Sequence, residues 1–208
     1  MIDHEALEAR ARRLTARPDT MAAVLAAEQR ADDDRGGWPT MHDDAYHGPV
    51  GDYVQAAAPH TVADPAAVLV QLLAGVGALA NCGPYVLAGN DRHPAALFVA
   101  IAGATSSGVK GTSWSVARMP LAVIDPDFTA HRILGGFGSG EVLIETLAGT
   151  GDEDRPRDTR LLIHEGELGA ILRVAGRPES TLGQRLRDAW DGRRLAARTR
   201  GRGTVEVL

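Results

Sequence analysis

Residues 97–114, LFVAIAGATSSGVKGTSW, constrain what this chain can fold into more than any other stretch. A run of apolar residues rich in strand formers, 97–102, leads into a Gly/Ser/Thr loop holding one lysine and then into a helix start. A buried strand, a glycine-rich loop and a helix in that order form a phosphate-binding loop. The N–H groups of such a loop, and of the first turn of the helix behind it, collect around an anion. Composition sharpens this reading. Lys110 is the only lysine in 208 residues, and the other 21 of the 22 basic Lys+Arg residues are arginine. A chain that uses arginine for ordinary surface charge places a lysine here for a task suited to a compact ammonium. Such a point charge enters a nest of N–H groups for which a planar guanidinium fork is too wide. The expected phosphate-site residues are Gly103, Ser106, Ser107, Gly108, Lys110, Gly111, Thr112 and Ser113.

The loop is a variant of the standard G-x-x-x-x-G-K-[ST] spacing. Gly103 and Gly108 keep their mutual distance, but Val109 stands before Lys110, and Gly111 fills the slot usual for Ser or Thr. Thr112 or Ser113 is then expected to offer the hydroxyl. Lys-Gly-Thr also occurs in nucleoside monophosphate kinases, but their loop lies near the N-terminus, whereas about half of this chain precedes residue 103.

The rest of the sequence frames that loop. A hydrophobic fraction of 44% and a charged fraction of 24% suit one globular core. The lone Cys82 excludes an intramolecular disulfide and a Cys-rich zinc cluster, and with the charged, leaderless start it points to the cytoplasm. No stretch reads as a membrane span. Residues 3–34 read as two helices parted at Pro18, and Gly36, Gly37 and Pro39 mark a boundary. Residues 1–40 are therefore expected to be a helical extension and 41–208 the main domain. Within the domain a short helix is expected over 49–58. A second, started by Asp64-Pro65 and apolar nearly all round, runs over 65–81 and should lie buried against a sheet. Strands are expected at 85–88 and 97–102, and a helix over 112–123 that breaks or ends near Pro120. A strand at 132–134, a helix over 139–147 and a charged loop over 149–159 follow. His47 and His60 lack further ligands at useful spacing and read as structural or surface residues.

Residues 160–164 read as a buried strand ending in Glu165 and Glu167, with a helix behind them, another helix over 180–190 and a last strand over 204–208. An apolar strand ending in acids, some 50 residues after a phosphate loop, suits a site in which a carboxylate holds Mg²⁺ through water or orients the attacking water. The ordered pieces GDYV (51–54), PHT-x-x-DP (59–65), KGTSW (110–114), SGE (139–141), LLIHEGEL (161–168) and AWDG (189–192) together resemble the bacterial and phage family called domain of unknown function 3987. That is a family of RecA-like P-loop ATPases found in primase-helicase proteins of mobile elements. The resemblance covers about residues 45–192. It implies an α/β fold, an incomplete RecA-like P-loop sheet with flanking helices. It implies ATP and Mg²⁺ as ligands, with Lys110, Thr112 and Glu165 or Glu167 at the nucleotide: Glu165 and Glu167 in catalytic roles, Thr112 and Glu165 at the metal. Val109 departs from a more usual polar or basic residue, and His164 stands where stricter ATPases have a Walker B aspartate.

Such a core carries further strands after the acidic one, and only 16 residues follow Gly192. A homo-oligomer, or a partner chain supplying the missing strands, is expected on that ground, with Arg193, Arg194 or Arg198 acting on a neighbour's nucleotide. Two other readings fit the same residues. One is a truncated, non-catalytic P-loop domain serving as an interaction module or remnant. The other is a DNA-contacting accessory whose seven arginines between 185 and 202 meet phosphates, against a frayed and solvated tail. The net charge of −5 argues against general coating of nucleic acid.

Overall fold

Asp64 opens the helix on which the first core is built. The computed structural model describes residues 40–81, 83–102, 109–148, 158–193, 195–199 and 203–207. All but the first few of these belong to one unit, Asp43–Leu208. The expected N-terminal helices lie outside the described residues. Helix α1 spans Gly48–Ala57 and α2 spans Pro65–Ala80. The Asp64 carboxylate accepts from the N–H groups of Ala66 at 2.8 Å and Ala67 at 3.1 Å. Pro65 takes the first helical position, where no N–H is needed. The apolar side of α2, expected against a sheet, packs chiefly on helix α3, Val109–Ile124, and only at its margin on the strand Leu162–Ile163. Val68, Leu69 and Leu72 meet Ala117 and Leu121 there, joined by Val54 of α1. Gly75 sets the approach of the two helices, because a Cβ at this position would collide with Leu121 Cδ1.

Helix α3 does not break near Pro120, as the sequence suggested; it runs through to Ile124. A proline in a helix removes the N–H that the carbonyl four residues earlier needs. That carbonyl belongs to Val116, and the Tyr53 hydroxyl of α1 donates to it at 2.8 Å. Burial pushes the Tyr53 phenol up, which keeps it in its donating form. Tyr53→Phe is therefore expected to cost about 1–3 kcal/mol, the penalty of a stranded carbonyl. Urea unfolding of the two proteins measures it, and equal midpoints would refute the role.

Asp125 joins α3 to α4, Pro126–His131, and caps it by accepting from Phe128 N at 2.9 Å. Its second oxygen lies 2.9 Å from Arg160 Nη1. Arg160 also grips both oxygens of Asp158, each at 2.9 Å, and lies over the Phe128 ring at 5.1 Å. Arg132 holds the Arg160 carbonyl through Nε at 2.6 Å. The Phe128 N–H, then Arg160, hold the Asp125 carboxyl below its ordinary 3.8, and the Arg160 hydrogen bonds do the same for Asp158. A carboxyl with a lowered folded pKa contributes stability that is complete above its unfolded value and lost as pH falls through the folded one. The melting temperature should thus hold above about pH 4 and drop below it. In a Asp125→Asn/Asp158→Asn double variant that acid-side slope should flatten.

The protein is mixed α/β, with three two-stranded sheets among the described residues. Strands β1, Tyr85–Ala88, and β2, Asp91–Pro94, form an antiparallel hairpin turned at Gly89, whose φ of +65° suits glycine. Strands β3, Ile133–Leu134, and β4, Leu162–Ile163, pair in parallel, Ile133 with Leu162 and Leu134 with Ile163. The expected strand over 97–102 is not formed: this segment lies in no ladder. Strand propensity was present there, but no described segment supplies a pairing edge. The second core gathers Phe137, Leu143 and Leu182 from the β3–α5 connection, α5 (Gly140–Ala148) and α7 (Leu182–Trp190), with α6 (Leu168–Ala175) at its edge. The arginine-rich end is not frayed over its described part. It continues α7 into β5, Leu195–Thr199, which pairs antiparallel with β6, Gly203–Val207.

Candidate functional site

Helix α3 starts at Val109, earlier than the expected residue 112, so Lys110 and Gly111 belong to its first turn. Residues 103–108, with Gly103, Ser106, Ser107 and Gly108, lie outside the described residues. The end of α3 that carries orphan N–H groups and the positive end of the helix dipole therefore begins directly after residue 108. Among the described residues, a Cβ at Gly111 would meet nothing within 4 Å. Thr112 is half-buried. Ser113 is fully buried and accepts from Gln71 Nε2 of α2 at 2.8 Å, while the same amide also donates to the Ala67 carbonyl at 2.9 Å. Of the two hydroxyls expected to serve a cation, Ser113 is thus the one held in the α2–α3 interface.

The strand end carrying the acids meets α3 through an aromatic contact. Trp114, in the second turn of α3, stacks on His164 with centroids 4.2 Å apart and planes 13° from parallel. His164 follows β4 directly and its N–H donates to the Leu134 carbonyl at 2.9 Å, extending the parallel pair by one bond. Burial pulls the His164 imidazole below 6.5, with the neighbouring Glu165 charge acting against it. A neutral imidazole therefore faces the indole at neutral pH.

Glu165 is half-buried, and its Oε1 accepts from Gly136 N at 2.6 Å. The turn that offers this donor needs its glycines. A Cβ at Gly135 would collide with the His164 carbonyl, and Gly136 has a φ of +75°. Glu167 is exposed at the N-cap position of α6, where its carbonyl accepts from Ala170 N at 2.9 Å and its carboxylate makes no cap. Among the candidate arginines, Arg193 is exposed and pairs with Asp191 at 3.3 Å, Arg198 lies in β5, and Arg194 falls outside the described residues.

Several family-like pieces prove to carry structural work. Thr61 accepts from Ala63 N at 3.1 Å just before the Asp64 cap. Ser139 accepts from Val142 N at 3.3 Å at the start of α5, and Glu141 accepts from the Thr181 hydroxyl at 2.9 Å. Asp188 is buried, held by Gln184 at 2.9 Å and Arg185 at 3.2 Å. His47 Nδ1, in the tautomer that carries its proton there, donates to the Asp44 carbonyl at 2.8 Å, as a surface residue would. Sequence reasoning singled out Trp114 only as a motif letter and His164 as a departure from a Walker B aspartate, and it did not name Gly135 or Gly136. Their partnership with the acidic strand end crosses 50 residues of the loop-to-strand interval and 29 of the turn-to-acid interval.

Among the described residues no three His, Cys, Asp or Glu side chains gather as a metal cage. Mg²⁺ at a nucleotide site does not need one, since phosphates, water and one or two side-chain oxygens hold it. Thr112 and Glu165 are oxygen donors of that class. No helix among the described residues is long and apolar enough to cross a membrane. No family model, curated protein or solved structure matches this chain.

Proposed function

We propose that this chain binds Mg-ATP through residues 103–113, as a P-loop module of RecA-like kind. The observation that supports it is the Trp114–His164 stack at 4.2 Å. It ties the helix behind residues 103–108 to the strand end carrying Glu165, which supports reading an anion-attracting helix end and a carboxylate as parts of one site. In this reading the loop N–H groups and Lys110 hold the β- and γ-phosphates, Thr112 offers its hydroxyl to the metal, and Glu167 supports the metal's water shell. Bound Mg²⁺ supplies charge neutralisation on the phosphates. Glu165 orients the attacking water. The wider role in this proposal is ATP-driven work on DNA within a helicase- or primase-type assembly in the cytoplasm, and it draws on the resemblance and on the arginines of α7 and β5.

The second reading is nucleotide binding without turnover, and the 2.6 Å bond from Gly136 N to Glu165 favours it. That bond commits Oε1 of Glu165 to a backbone donor and turns it away from orienting an attacking water. Steady-state phosphate release separates the two readings. Under the first, the purified chain turns over ATP, and Glu165→Gln lowers the rate by about 100-fold or more while calorimetric binding is kept. Binding with no turnover in the unsubstituted chain establishes the second, and no binding in calorimetry removes both.

A further inference from the structure

The segment 96–102, ALFVAIA in sequence, runs without turn, bend, helix or ladder, and its backbone makes no hydrogen bond with described residues. Its side chains are nonetheless those of a core strand. Leu97 is 51%, Phe98 47% and Val99 41% exposed. Proteins that leave a strand edge open usually place a charge or a proline on it. None stands between residues 95 and 102.

The apolar surface continues to either side. Phe98 meets Trp190 of α7 edge to face at 5.1 Å, and Trp190 is itself exposed. Gly192, just beyond, lies beside the Arg92 carbonyl of β2, whose partner strand β1 exposes Val86 and Leu87. A specific interface needs roughly 500 Å² from each copy. Leu97, Phe98, Val99 and Trp190, each two-fifths or more exposed, contribute to that area beside the pairing edge.

We propose that this face binds a second copy of the chain, with residues 97–101 pairing antiparallel to their counterparts about a two-fold axis at Val99. The sequence of the segment is what selects a like partner. Antiparallel pairing centred on Val99 sets Val99 against Val99, Leu97 against Ile101, and Phe98 against the small Ala100. β-Branched residues then face aliphatic ones, each large ring falls opposite a methyl group, and no charge is buried. A two-fold contact requires such self-complementarity, since the same patch serves both sides. The backbone groups of 97–101 that have no partner among the described residues would be satisfied by the other copy. This association is independent of nucleotide.

Sedimentation of the full chain over a concentration series tests it, together with cysteine cross-linking in a Cys82→Ser background. The expected species is a dimer. Val99→Lys sets two like charges opposite each other and should raise the dimer dissociation constant roughly a hundredfold. Val99→Cys should form an intermolecular disulfide on mild oxidation, and Leu97→Cys, facing Ile101, should do so far less. A monomer at every concentration overturns the proposal, as does a dimer that Val99→Lys leaves unchanged. Species growing past the dimer would show open, head-to-tail stacking instead and also overturn it. Where Val99→Lys loses its native circular dichroism, the contrast between the two cysteine variants decides; equal cross-linking counts against the two-fold at Val99.

Discussion

Replacing Lys110 with alanine is expected to weaken Mg-ATP binding by about 10- to 100-fold, measured by calorimetry at fixed magnesium. The magnitude follows from removing a charged donor from phosphate, about 1.5–3 kcal/mol. Lys110→Arg discriminates the role of shape from that of charge. If the site is a nest of backbone donors reached by a point charge, arginine should recover little of the lost affinity. Equal affinity in Lys110→Ala and the unsubstituted protein would remove the P-loop reading altogether. Unfolding curves of the variants should stay close to that of the parent, because a first-turn lysine-to-alanine change favours helix slightly.

The largest effect on stability is expected from Phe128→Ala, about 3–5 kcal/mol. Phe128 is fully buried, its N–H is bonded to Asp125, and the Arg160 guanidinium lies over its ring. Truncation opens a void under a cation held between two carboxylates, and that cluster joins the α3–α4 junction to the residues leading into β4. Domains of this size hold about 5–15 kcal/mol in all, so the variant should unfold at markedly lower urea and populate unfolded chain on warming. Phe128→Leu, which keeps most of the volume, should cost much less. A small shift for Phe128→Ala in urea would show that the ring is not a core element.

Local chemistry was legible in the sequence and nonlocal pairing was not. The Asp64-Pro65 start of α2 was readable because a cap is made by residues two and three positions away. Glu165 at a strand end was readable for the same reason. The hairpin β1–β2 carried half a signal: Gly89-Asn90 is a turn pair and β1 is YVLA, but β2 is DRHP, which holds no strand former. By contrast, the continuation of α3 past Pro120 depends on a tyrosine 63 residues earlier. The strand expected over 97–102 had the right residues, but pairing is a property of two segments, and propensity describes only one. At the site, the Gly136 donor to Glu165 and the Trp114–His164 stack come from chain crossings that no window of sequence contains.

The bond between Tyr53 and Val116 also decides how α3 can behave as a mechanical body. Proline is where long helices most often bend, yet here a side chain from another helix takes over the bond that the ring deletes. One phenolic oxygen thereby turns a joint into a strut of about 24 Å, with Val109 at one end and the Asp125 cap at the other. Removing that oxygen would leave the amino-acid sequence of α3 untouched and still alter its stiffness.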